Sequence, residues 1–171
     1  MNSQNTPVHI RLWHHDFWRM AIANLLLTMS VYMLIPILPL WLADSVELDN
    51  EQIGMVMGVF GLGVFLFGAL TSYLVQHFRR NQVCIWSILG MLACLAFLYY
   101  LEKYNKTCTY SMMLAQRVAF GAFFGLAQMV LASTLIIDTS ESFQRTEANH
   151  SASWFSRFAL SLGPLAALMI Y

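Results

Sequence analysis

The sequence predicts an all-α membrane protein of about five transmembrane helices, on three observations. Only 11% of its residues are charged while 58% are hydrophobic, against about a quarter charged in a soluble domain. The charges are also segregated. They leave five long runs almost free of them, and about 20 residues of helix cross the hydrocarbon core of a bilayer. Finally, nine basic residues balance nine acidic ones, so the chain lacks the positive surface that nucleic acid would select. Lipid is the expected partner.

The elements follow in order. Residues 1–19 form a polar N-terminal segment in which Trp13 and Trp18 are placed as interface anchors. Helix 1 covers about 20–43, between Arg19 and Asp44. It is longer than the apolar region of a signal peptide, and no small-x-small cleavage site follows it. Helix 2, about 53–76, stops ahead of His77, Arg79 and Arg80; helix 3, about 83–101, stops at Glu102. Helix 4, about 111–137, contains the single charge Arg117, and helix 5, about 149–171, contains Arg157. With the N-terminus inside, Arg11, Arg19, Arg79, Arg80 and Arg145 lie on the inner side and Lys103 and Lys106 on the outer side. The excess of basic residues belongs inside. A multi-pass protein of the plasma (inner) membrane with a cytoplasmic N-terminus is expected.

Catalytic and metal chemistry find little support. Cys84, Cys94 and Cys108 have no C-x-x-C spacing, and all five histidines lie outside the apolar runs, the last of which begins at about Ser151, just after His150. His14 and His15 are neighbours on one helix, about 100° apart, and converge poorly on one ion. Walker, G-x-S-x-G and H-E-x-x-H motifs do not occur. No enzyme activity, metal or cofactor is expected.

Two features inside the spans stand out. Gly54 and Gly58 form a G-x-x-x-G pair on the same face as Gly61 and Gly68, and Gly121 and Gly125 form another. Such pairs let helices approach closely in lipid, so both predict packing faces. Arg117 shares a helical face with Tyr110, Gly121, Phe124 and Gln128. An arginine at mid-span costs about 2.5–3.5 kcal/mol on insertion scales and usually faces the bundle interior or a wet cavity; the competing reading is an arginine snorkelling to the headgroups. Asn24, Thr28 and Tyr32 make a weaker polar stripe on helix 1, suited either to a cavity or to interhelical hydrogen bonds.

Several segments together resemble the major facilitator superfamily of secondary transporters. "YMLIPILPLWL" is similar to its first helix, with a proline near the outer end. "SYLVQHFRRNQV" resembles its helix 2–3 loop: Leu74 and Arg80 match, while Ser72, Gln76, His77, Arg79 and Asn81 replace motif residues. The replacement of the acid by Gln76 removes a gate pairing usual in the family. "RVAFGAFFG" resembles the helix-4 motif that begins at an arginine, here Arg117, and "SLGPLAA", with Gly163 and Pro164, looks like the helix-5 motif of the drug–proton antiporter branch.

The resemblance implies transport of a small solute, as efflux and with proton coupling, by two helical halves rocking about a midplane site. It implies that helices 1 and 4 line the cavity, that helices 2 and 5 meet the second half, and that helix 3 lies outside. Arg117 would be the cavity cation, with Gln128, Asn24, Thr28 and Tyr32 as further cavity residues. Five helices against the family's twelve make the chain look like the first part of a transporter, cut before helix 6 and completed by a C-terminal half. None of the five spans holds an Asp or Glu, so a proton-carrying acid would come from elsewhere. The competing expectation is a small integral membrane protein acting as a binding or regulatory subunit.

Overall fold

The computed structural model describes residues 15–104, 110–137, 140 and 145–170. Trp13, His14, Lys106 and Cys108 lie outside them. Five helices follow one another: α1 His15–Ser45, α2 Asn50–His77, α3 Arg80–Tyr104, α4 Tyr110–Ile137 and α5 Arg145–Ile170. Each extends beyond its apolar run at one end or both. Backbone hydrogen bonding does not stop where hydropathy does, and the added turns carry polar side chains at the level of the headgroups.

Local chemistry sets the helix ends. Asp49 caps α2: its carboxylate accepts from the N–H of Asn50 at 2.9 Å, and Gln52 Oε1 accepts from the N–H of Asp49 at 3.3 Å. This reciprocal capping box, Asp-x-x-Gln, is a helix-start signal visible in "DNEQ". Before it, Glu47 adopts a positive φ of 53°, reversing the chain between α1 and α2. At the other end of α2, Phe78 is extended and its N–H donates to Leu74 O at 2.9 Å; Arg79 O then accepts from Gln82 and Val83 as α3 begins. Phe78 and Arg79 are thus the whole connection between two long helices.

Among the described residues, four helices are long and apolar enough to cross a membrane: α1, α2, α3 and α4. The fifth expected span forms its helix, α5, whose first half carries Arg145, Glu147, His150 and Arg157. The chain divides into two compact units, one of residues up to Ile35 and from Leu131 onward, the other Pro36–Val130. The division cuts α1 at Pro36, one of two prolines inside that helix. Proline has no N–H to donate to the carbonyl four residues earlier, so Tyr32 and Ile35 lose their usual helical donors.

In the first unit, α5 packs along α1. Phe17, Ala21, Ala148, Ala152 and Phe155 form a buried cluster, and the Trp18 and Phe155 rings meet edge to face at 6.0 Å. Further along, a Cβ added at Gly163 would stand 2.8 Å from Tyr32 Cβ and 3.3 Å from Met29 O. Contacts advance along both helices together, so α1 and α5 run parallel, and α5 lies beside a membrane-spanning helix from Phe17 to Tyr32. The start of α1 at His15 rather than Met20 has its reason here: Phe17 is fully buried in this cluster.

In the second unit, α2 and α4 also run parallel. A Cβ at Gly121 would collide with Phe60 O, one at Gly63 would lie 2.5 Å from Val118 O, and one at Gly125 would lie 3.3 Å from Val64 O. Phe60 stacks at a tilt against Phe120 and Phe124, 6.0 and 5.9 Å away. Helix α3 is antiparallel to α4, since Gly90 meets Phe123 while Cys94 meets Gln116. Three consecutive helices therefore alternate in direction. Hydroxyls inside the spans bond their own helices: Thr71 donates to Phe67 O at 3.0 Å and Ser87 to Val83 O at 2.7 Å, since no water reaches them in lipid.

Candidate functional site

Helix α4 carries the candidate site. It is the most buried span: 61% of its apolar window is buried, against 11% for α2 and for α3. Its central glycines and alanines let α2 approach, and the longer side chains one turn earlier occupy what remains. Arg117 is one of these, at 3% exposure. Its guanidinium carbon sits 5.6 Å from the centre of the Phe120 ring, within cation–π range. Nε and Nη2 are buried with no hydrogen-bond partner among the described residues. No Asp or Glu occurs from Gln52 to Leu101 or from Tyr110 to Ile137, so these stretches of α2, α3 and α4 supply no counter-charge.

The two unpartnered donors belong to one edge of the guanidinium. Nε–H and Nη2–H point side by side, and that edge takes a carboxylate or phosphate in a two-point fork. A snorkelling arginine keeps its head in water, whereas Arg117 is packed to 3% exposure.

Next to it Gln116, buried at 5%, donates from Nε2 to Cys94 O at 3.3 Å and leaves Oε1 without a partner. The sequence held this residue in view beside Arg117 but assigned it no role. Its signal was an amide in an apolar run.

The other expected residues divide. Gln128 is half-buried near the end of the second unit. Tyr110 is half-buried, and Gly121 and Phe124 are packed against Phe60. The stripe expected to line a cavity is thus closed by α2 over its middle. Asn24 and Thr28 are buried in the first unit at 2% and 1%. The Thr28 hydroxyl donates to Asn24 O at 2.7 Å, while Asn24 Oδ1 has no partner. Thr28 is therefore spent on its own helix, a common fate of threonine there, and Asn24 is the open acceptor. Tyr32 presents its Cβ to Gly163, which Pro164 follows.

Among the described residues, nothing packs against Gly54 or Gly58. An added Cβ at Gly54, Gly58, Gly61 or Gly68 would meet nothing within 4 Å, so this glycine stripe is open, whereas Gly121 and Gly125 do sit at a close helix crossing. The crossing glycines that sequence missed are Gly63 and Gly90.

In the loop motif, Leu74 O receives the Phe78 N–H, His77 stacks on Tyr73 at 4.4 Å, and Arg80 opens α3. The Gln76 side chain is outside the described residues. No group of three or more His, Cys, Asp or Glu among the described residues could hold a metal.

Comparison with known proteins agrees with this architecture. No curated protein and no solved structure matches the chain. Residues 20–171 match the family described as Major Facilitator Superfamily, a span that begins within α1 and takes in every later helix. An all-helical membrane chain whose most buried span carries a lone arginine thus belongs to the Major Facilitator Superfamily, whose members are secondary transporters.

Proposed function

We propose that the chain serves the export of a small solute, in the manner of the drug–proton antiporter branch, with Arg117 as the cation that grips an anionic group. The group is either a carboxylate or phosphate on the solute, or a carboxylate supplied across the midplane by a second helical repeat; sites in such transporters lie between repeats. In the second case, proton binding to that carboxylate would break and remake the pair, coupling proton flow to access. The observation that carries the reading is the unpartnered Nε–Nη2 edge of a guanidinium buried to 3% exposure. Structure alone does not justify such a charge, because an uncompensated buried cation is costly.

Flux in proteoliposomes of the assembled transporter, at matched membrane abundance, tests it. Arg117→Ala abolishes or severely reduces transport without loss of insertion. Arg117→Lys restores it only in part, because an ammonium lacks the planar fork. Wild-type flux in both variants would refute the role. We place the N-terminus in the cytoplasm, in the plasma (inner) membrane, on the strength of the basic-residue distribution.

A further inference from the structure

A crevice of about 250 Å³ opens between α2, α3 and α4, within the second unit. Its inner residues Val83 and Ser87 are buried. Leu74, Phe123 and Leu126 add to a mostly apolar lining, with Phe78, Trp86 and the amide-bearing Gln82 also in contact with it. Phe78 is 58% exposed and Trp86 71%, so these two rings border the open side. The Ser87 hydroxyl is turned to Val83 O and offers nothing to a ligand.

Two further facts narrow the occupant. The crevice lies at the α2–α3 connection, hence at one end of both spans, where hydrocarbon gives way to headgroups. Basic residues flank its lining residue Phe78 in the chain: His77 precedes it, Arg79 and Arg80 follow it, Arg79 is exposed, and no Asp or Glu occurs between Gln52 and Leu101. An apolar slot at the end of two spans, with basic residues adjoining it in the chain, suits an amphiphile with a negative head.

We propose that this crevice holds part of one acyl chain of an anionic phospholipid, whose phosphate meets Arg79. The apolar lining takes the chain and Arg79 selects the head. One basic residue near a membrane surface contributes about 1 kcal/mol toward an anionic lipid, a preference of roughly fivefold.

Trp86 at the opening is a built-in reporter. The test uses the full chain with Trp13, Trp18, Trp41 and Trp154 changed to Phe, in phosphatidylcholine vesicles containing increasing brominated phosphatidylglycerol or brominated phosphatidylcholine. Brominated phosphatidylglycerol should quench Trp86 at about fivefold lower mole fraction. Arg79→Gln should merge the two curves, and Ser87→Phe, which fills the crevice, should lower the maximal quenching by both lipids. Coincident curves with Arg79 intact, or a preference that survives Arg79→Gln, overturns the proposal. So does a Trp86 that neither lipid quenches, which would mean a second copy or another segment of the chain covers the slot. Reversal of the preference by millimolar glycerol phosphate would show a headgroup-only site and refute the acyl-chain assignment. Circular dichroism checks the fold of each variant. If the four-fold Trp variant does not fold, native mass spectrometry of the otherwise unaltered chain reads the same preference, as phosphatidylglycerol retained over phosphatidylcholine and its loss in Arg79→Gln.

Discussion

Replacing Gly63 by alanine should destabilise the α2–α4 pair, while the same change at Gly54 should not. At Gly63 the new Cβ would lie 2.5 Å from Val118 O and 3.3 Å from Ala122 N. Both obstacles are backbone, so no rotamer change relieves them. To reach even 3.0 Å the helices must separate by about 0.5 Å, and to reach ordinary contact at 3.4 Å by about 0.9 Å. A gap of 0.5–1 Å forfeits about a quarter to a half of each dispersion well it opens, and overpacking of this kind typically costs about 1–3 kcal/mol. At Gly54 nothing lies within 4 Å. Alanine also brings a helix-propensity gain at both sites. Taking the difference between the two variants cancels it and leaves the steric cost, about 1–3 kcal/mol. Unfolding in detergent micelles by graded addition of sodium dodecyl sulfate measures that difference. A Gly63→Ala protein as stable as Gly54→Ala, or more so, would refute the crossing geometry. The G-x-x-x-G pattern read from sequence expects the opposite order, since it includes Gly54 and omits Gly63.

Three further outcomes are expected. Glu47 holds φ at 53°, a region costing a residue with a side chain about 1–2 kcal/mol; the same unfolding assay should place Glu47→Gly at or slightly above wild type and Glu47→Val at least about 1 kcal/mol below it. Gln116→Leu should shift stability by less than about 1 kcal/mol, because the lost bond to Cys94 O, worth about 0.6 kcal/mol on average in membranes, is offset by removal of the buried unpartnered Oε1; a loss above 2 kcal/mol would mean Gln116 holds α3 to α4 by that bond. A cysteine placed at Asn50 should react with an impermeant thiol reagent from outside the cell and one at Asn81 should not, and the reverse pattern would invert the proposed topology.

The helices were legible because lipid simplifies the problem. A span must satisfy its own backbone hydrogen bonds, so a charge-free run long enough to cross is a helix. What hydropathy could not mark were the end turns. His15–Arg19, Asn50–Gln52 and Arg80–Gln82 are helical although they carry charged or amide side chains that end the apolar runs. The glycines were half legible. A helical wheel tells which residues share a face but not which face meets a neighbour, so Gly121 finds the Phe60 carbonyl while Gly54, in the same motif, finds open space. Burial of Arg117 followed from the cost of its charge. The closure of its stripe at Gly121 and Phe124 depended on where α2 crosses, which no spacing within α4 encodes. The engagement of Thr28 with Asn24 O is local, and threonine's habit of bonding four residues back would have predicted it.

The bare edge of Arg117 also makes the protein a reporter of its own ligand. Any solute that binds the folded form alone raises its stability by an amount set only by concentration and affinity, about 2.7 kcal/mol at a hundredfold excess over the dissociation constant. With two buried donors unanswered, anions that fit the fork should raise the melting temperature, whereas cations and neutral analogues of equal size should leave it unmoved. Melting curves over a panel of carboxylates, phosphates and sulfonates would then rank substrate chemistry with no transport measured at all, and the same panel run on Arg117→Ala would show which shifts belong to that one side chain.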